Sequence, residues 1–171
     1  MQTKELTRIA LFTALMALLS QIIIPLPGGV PISLSTLGVM LCGGLLPPRR
    51  AFTTQLCYLM LGLVGAPVFS SFGGGPGWLL GPTGGYLLSY PLMALVIALL
   101  LARFSALPKW LAFLPGLLVC YLLGTGWLVL STRCGFGHAL AVGVLPFLLP
   151  DFFKVMLATV LVKGLATLTK Q

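Results

Sequence analysis

The chain has 171 residues, 58% of them hydrophobic and 7% charged, with ten Lys and Arg against two Asp and Glu. Ordinary soluble domains carry about 25% charged residues, so this composition and a mean hydropathy of +1.11 exclude a soluble fold and imply an integral membrane protein. A net charge of +8 would suggest nucleic acid in a soluble chain, but here the bases flank apolar runs and are not gathered into a patch with interleaved aromatics.

The first apolar run, Leu6 to Ile24, follows Lys4 and Arg8 as a secretion signal would. It is long for one and meets Pro25-Leu26-Pro27-Gly28 without a small-x-small cleavage site, so it is expected to remain as a helix. Later runs extend from Leu34 to Leu46, Ala51 to Val64, Tyr86 to Ala102, Trp110 to Leu130 and Asp151 to Leu168, separated by Pro and Gly. The expectation is an all-α, polytopic membrane protein with six transmembrane helices and a single domain over residues 1–171. No internal repeat is evident, so an inverted-repeat transporter is not expected.

Loop charges set the orientation, because Lys and Arg are retained on the cytoplasmic side. With the N-terminus inside, Lys4, Arg8, Arg49, Arg50, Arg103, Lys109, Lys163 and Lys170 all lie inside, and Arg133 alone lies outside. Both termini are therefore placed in the cytoplasm. The second and third runs are short for a hydrocarbon core of about 30 Å. A re-entrant hairpin would bury Arg49 and Arg50 at about 2.5 to 3.5 kcal/mol each, so short spans are favoured, with irregular backbone dipping inward on the outer side.

That backbone includes Gly65 to Tyr86, whose glycines permit close approach, whose prolines stiffen the path and whose Phe69 and Trp78 offer flat apolar faces. It reads either as a lid over a ligand or as an external loop with its aromatics in the interfacial belt. No Lys-Ser or Lys-Thr follows its glycines, so it is not a phosphate loop.

Asp151 and Lys154 stand three apart and share a helix face. Pro150 suits the first position of a helix, which would put Asp151 in the first turn, at the positive end of the dipole. Ionisable residues inside a membrane mark functional sites, and a polar ligand with donors and acceptors would satisfy both side chains; a pair that merely neutralises itself is the other reading. Cys42, Cys57 and Cys120 lie singly in spans, and Cys134 with His138 lacks further ligands, so no metal or other cofactor is expected. With no nucleophile disposed beside a base, an intramembrane enzyme using Asp151 and Lys154 is a weak alternative.

The stretches Ile32-Ser33-Leu34-Ser35-Thr36-Leu37, Leu61-Gly62-Leu63-Val64-Gly65-Ala66-Pro67-Val68-Phe69 and Gly81-Pro82-Thr83-Gly84-Gly85-Tyr86-Leu87, together with Asp151-x-x-Lys154, resemble the BioY family, the biotin-binding S components of energy-coupling factor (ECF) transporters. The resemblance covers nearly the whole chain. It implies a six-helix S-component bundle that holds biotin near the outer face. Asp151 and Lys154 would be the polar ligand contacts, and Tyr86, Thr83, Gly84, Gly85, Trp78, Phe69 and Ser35 would complete the site. Ser35 stands where relatives often have Gln, and Ser89 replaces a common Gly. The stripe Ala10, Ala14 and Ala17 lets a second helix approach closely, and the resemblance assigns that face to the membrane coupling subunit; packing within the bundle is the alternative. The implied function is biotin capture outside the cell and delivery inside, driven by partner ATP-binding-cassette ATPases; an S component for another small vitamin is the second reading.

Overall fold

The structure, a computed structural model, describes residues 3–25, 30–104 and 106–168. Helix α1 (Thr3–Gln21) leads into a two-stranded antiparallel ladder of β1 (Ile23–Ile24) and β2 (Ile32–Ser33), in which Ile23 faces Ser33 and Ile24 faces Ile32. The ladder closes the first loop, and the hydropathy pattern gave no sign of it because a run of Ile continues the apolar stretch of α1. Next come α2 (Ser35–Leu45) and α3 (Pro48–Leu63). The break between them is set by Pro47 and Pro48: Leu46 is driven extended ahead of a proline, and Pro48 occupies the first turn of α3, where its missing N–H costs nothing. At the other end of α3, Gly65 takes φ +104°, and the Gly65 and Ala66 amides bond back to the Gly62 and Leu61 carbonyls, a Schellman stop.

After a single 3₁₀ turn at Ser70–Phe72 follow α4 (Pro76–Leu80), α5 (Gly84–Arg103), α6 (Lys109–Thr132), α7 (Phe136–Gly143) and α8 (Leu145–Leu168). The six apolar runs correspond to α1, α2, α3, α5, α6 and α8; α4 and α7 are additional, built from segments too short to show a periodicity. By length and composition, three described helical stretches can cross a membrane: Gly84–Arg103, Lys109–Thr132 and Phe136–Leu165. At 1.5 Å per residue, α2 and α3 reach only about 16 and 24 Å.

One expectation is corrected. Helix α8 begins at Leu145, not at Pro150, so Pro150 lies inside it and Asp151 is beyond the first turn. Pro146 already fills the first-turn position, and Pro150 forfeits one backbone bond, a loss tolerated in apolar helices. The dipole argument for Asp151 therefore fails, since that field fades within a turn.

Helix α5 is the central post, packed against α6, α3 and α2, with α8 closing against α2. Small residues permit this: a side chain at Gly43 of α2 would collide with Ile97, and one at Gly44 with Val162 of α8. Glu5 and Arg50 form an ion pair between the starts of α1 and α3, and Lys109 donates to the Val162 carbonyl at 3.3 Å. These contacts gather the start of α1, the α2–α3 turn, the α5–α6 turn and the late part of α8 at one end of the bundle. Lys4, Arg8, Arg49, Arg50, Arg103, Lys109 and Lys163 lie there, whereas Arg133 caps α6 at the other; Lys170 falls outside the described residues.

Candidate functional site

At the end opposite the basic cluster, Asp151 and Lys154 of α8 are 2% and 5% exposed. Their helical spacing brings Lys154 Nζ to 2.7 Å from Asp151 Oδ1. Two neighbours complete the group: Nζ donates to Thr36 Oγ1 of α2 at 3.0 Å, Thr36 donates to Oδ1 at 3.3 Å, and Tyr121 of α6 donates to Oδ2 at 2.5 Å. Burying charge is costly unless it is paired and hydrogen-bonded, and here three helices supply the partners. Capacity is left over. An ammonium has three donors and uses two here, and a carboxylate accepts about four bonds and takes three, so one donor and one acceptor remain.

These groups line a cavity of about 40 Å³ under Val30, Pro31 and Phe147. A second cavity of about 40 Å³ adjoins it, sharing Val30, Pro31, Ser33, Tyr86 and Tyr90 and extending to Phe69, Ser70, Trp78 and Thr83. The site thus has a charged half, deep between α2, α6 and α8, and an aromatic half beneath the Gly65–Tyr86 loop.

The loop is pinned from below. Gln21 at the end of α1 donates to the Phe69 carbonyl at 3.1 Å and accepts from the Phe72 amide at 2.8 Å, and Tyr58 of α3 donates to the Val68 carbonyl at 3.2 Å. Ser71 and Phe72 both adopt left-handed backbone, with φ of 56° and 55°, a conformation that costs non-glycine residues about 1–2 kcal/mol each. Gly73 is required because the Trp78 indole lies where its side chain would be. These contacts hold the segment between α3 and α4 in place, where only the 3₁₀ turn at Ser70–Phe72 is regular.

Of the residues singled out from sequence, Asp151, Lys154, Tyr86, Thr83, Trp78 and Phe69 come together in the lining. Gly84, Gly85 and Ser35 do not line it. A side chain at Gly84 would strike the Leu79 carbonyl and one at Gly85 would strike Trp127, so these glycines let α4 and α6 close on the start of α5. Ser35 is buried behind Ser33, which bonds it at 2.9 Å, and a hydroxyl chain continues through Ser20 at 3.2 Å to Tyr58 at 2.7 Å. Tyr86 contributes its ring face, because its hydroxyl is bound to the Gly143 carbonyl at 2.9 Å and its ring lies over Gly124. Sequence reasoning missed Thr36, Tyr121, Tyr90 and Ser33 as lining residues. A hydroxyl within an apolar span was the available signal for the first two.

Ala10 and Ala14 are exposed and Ala17 is half-buried. They form one wall of an apolar groove of about 800 Å³ whose other wall is Cys57, Met60 and Leu61 of α3. The stripe therefore faces outward and does not pack inside the bundle.

Fold and site together define a class: a helical membrane protein that buries an acid–base pair with spare hydrogen-bonding capacity under two loops, the form of a small-solute binder. The BioY family model matches residues 1–171, and the chain belongs to the BioY family. It is 39% identical over 165 residues to a probable biotin transporter BioY of Pyrococcus horikoshii, covering 96% of this chain and 98% of that protein. It is 38% identical over 158 residues to biotin transporter BioY2 of Lactococcus lactis subsp. cremoris, covering 91% and 86%. Among solved structures, the chain is similar to the S-component for biotin from an ECF-type ABC transporter, with a TM-score of 0.88, 29% identity, and 97% and 92% of the two chains covered.

Proposed function

We propose that this chain is the biotin-capturing S component of an ECF-type importer. The observation that carries the reading is the Asp151–Lys154 pair, which keeps one acceptor and one donor for a ligand beneath a loop cover, in a chain of the BioY family. The ureido group of biotin offers N–H donors beside a carbonyl acceptor. One N–H would go to Asp151 and the carbonyl to Lys154, while the thiophane ring and valerate chain would lie against Tyr86, Tyr90, Trp78 and Phe69.

Vitamin-sized ligands occupy pockets of about 300 Å³ or more. The two cavities total far less, so Val30 and Pro31 on one side and Phe69 to Trp78 on the other must withdraw to admit biotin. Rupture of the Gln21 and Tyr58 contacts accompanies that movement, and relaxation of Ser71 and Phe72 offsets part of its cost.

The topology that fits is six spans with both termini cytoplasmic in a bacterial-type cytoplasmic membrane, supported by the clustering of seven described bases at one end and the site at the other. No phosphate-binding loop occurs in the sequence, so energy would come from ATP-binding-cassette ATPases through a membrane coupling subunit. The Ala10, Ala14 and Ala17 face would dock that subunit, since small side chains let helices approach closely. Release inside then requires the whole bundle to reorient against its partner. The test is labelled-biotin uptake in cells without their own importer, with the chain expressed together with an ECF module. Accumulation that requires the module is expected; accumulation of thiamine or riboflavin in place of biotin would overturn the assignment.

A further inference from the structure

Among the described residues, Lys154 is the one cation lining either cavity, and it is already paired with Asp151. The pair is neutral overall, so it presents a dipole suited to a neutral ureido group and carries no net charge to compensate a carboxylate. Seven of the remaining bases, in α1, α3, α5, α6 and α8, sit toward the opposite end, Arg133 lines neither cavity, and Lys170 falls outside the described residues. Residues 26–29, Leu-Pro-Gly-Gly, carry no charge. A ligand whose ring occupies the charged half therefore sends its tail into the aromatic half, where the polar groups are neutral: the hydroxyls of Ser33, Ser70, Thr83 and Tyr90 and the indole N–H of Trp78. Ser70, Trp78 and Thr83 are half-buried, unlike the acid–base pair, so the tail end lies toward water.

Resting on the biotin reading above, we infer that this protein recognises the bicyclic ring and leaves the tail carboxylate without a compensating charge, so that its substrate class includes biotin derivatives with neutral tails, such as the primary amide and the methyl ester. The start of α5, beside Thr83, is a positive electrostatic feature near the tail, and a helix dipole typically favours an anion by about two- to five-fold. A carboxylate held by a dedicated buried cation would instead lose about 30-fold or more when neutralised.

The experiment is displacement of labelled biotin from the purified full-length chain by biotin, biotinamide, biotin methyl ester and iminobiotin, in which an imino nitrogen replaces the ureido oxygen. The amide and ester are expected to bind within about ten-fold of biotin. Iminobiotin is expected to bind at least about 100-fold more weakly near neutral pH, because its cyclic guanidine is then protonated and offers Lys154 a donor and a like charge in place of an acceptor. A loss beyond about ten-fold for the amide and ester overturns the inference while leaving the biotin reading intact. Retention of iminobiotin with loss of the amide places the carboxylate on Lys154 and also overturns it. Failure of biotin itself to bind removes the underlying reading, and this inference with it.

Discussion

Lys154→Met removes the charge from a side chain that is 5% exposed while keeping an unbranched side chain one atom shorter. Breaking a buried ion pair from one side typically costs about 3–5 kcal/mol, because the other charge is left uncompensated. Here Tyr121 at 2.5 Å and Thr36 at 3.3 Å remain on Asp151, which places the stability loss near about 3 kcal/mol. Affinity should fall further than stability explains, since the donor to the ureido oxygen is gone: about 2–5 kcal/mol, or roughly 30- to several-thousand-fold. Asp151→Asn alone should lose less, because the amide oxygen still accepts one ligand N–H. The decisive protein is the double variant Asp151→Asn with Lys154→Met, which leaves no unpaired charge. Its thermal unfolding in detergent is expected to return to within about 1 kcal/mol of the parent, while calorimetric biotin titration still shows at least about a 30-fold loss. Parental affinity in a well-folded double variant would refute the argument, because it would make the pair a strut and not a ligand contact.

Ala14→Trp fills the groove between α1 and α3 and is expected to abolish co-purification with the coupling subunit and biotin uptake while leaving biotin affinity unchanged; normal uptake would remove this face as the docking surface. Tyr86→Phe forfeits the 2.9 Å bond to Gly143 and should lower stability by about 0.5–1.5 kcal/mol with affinity changed less than about three-fold, so a larger affinity loss at unchanged melting temperature would show the hydroxyl acting on the ligand. Gly85→Ala drives a methyl into Trp127 and is expected to destabilise by about 1–3 kcal/mol, read as a lower melting temperature; an unchanged melting temperature would contradict the packing role. Gln21→Ala frees the Phe69–Phe72 segment and should speed both biotin association and dissociation by stopped-flow fluorescence of Trp78, and unchanged rates would mean that this segment does not gate access.

The helical runs were legible because apolar length is a composition signal, and the basic residues at their ends announced which ends lie together. The candidate site was legible at Asp151 and Lys154, where charge interrupts an apolar run, and in the aromatics Phe69, Trp78 and Tyr86, which line the same pair of cavities. It was not legible where role depends on approach between distant elements. Gly84 and Gly85 read as ligand-facing from the motif, yet their missing side chains serve α4 and α6. Tyr121 stands 30 residues before its carboxylate partner and Thr36 stands 115 before it, separations that no local pattern connects. Pro150 read as a helix start because a proline normally breaks a run, but Pro146 had already served that purpose one turn earlier.

The central claim is that the covered Asp151–Lys154 site holds biotin. Equilibrium titration of the purified full-length chain with biotin, with thiamine and riboflavin as competitors, tests it most directly. The account predicts saturation at about one biotin per chain and no competition from the other two, because a site shaped to a ureido group leaves its buried polar atoms unpaired with them. Absence of saturable biotin binding, or equal binding of all three vitamins, would contradict it.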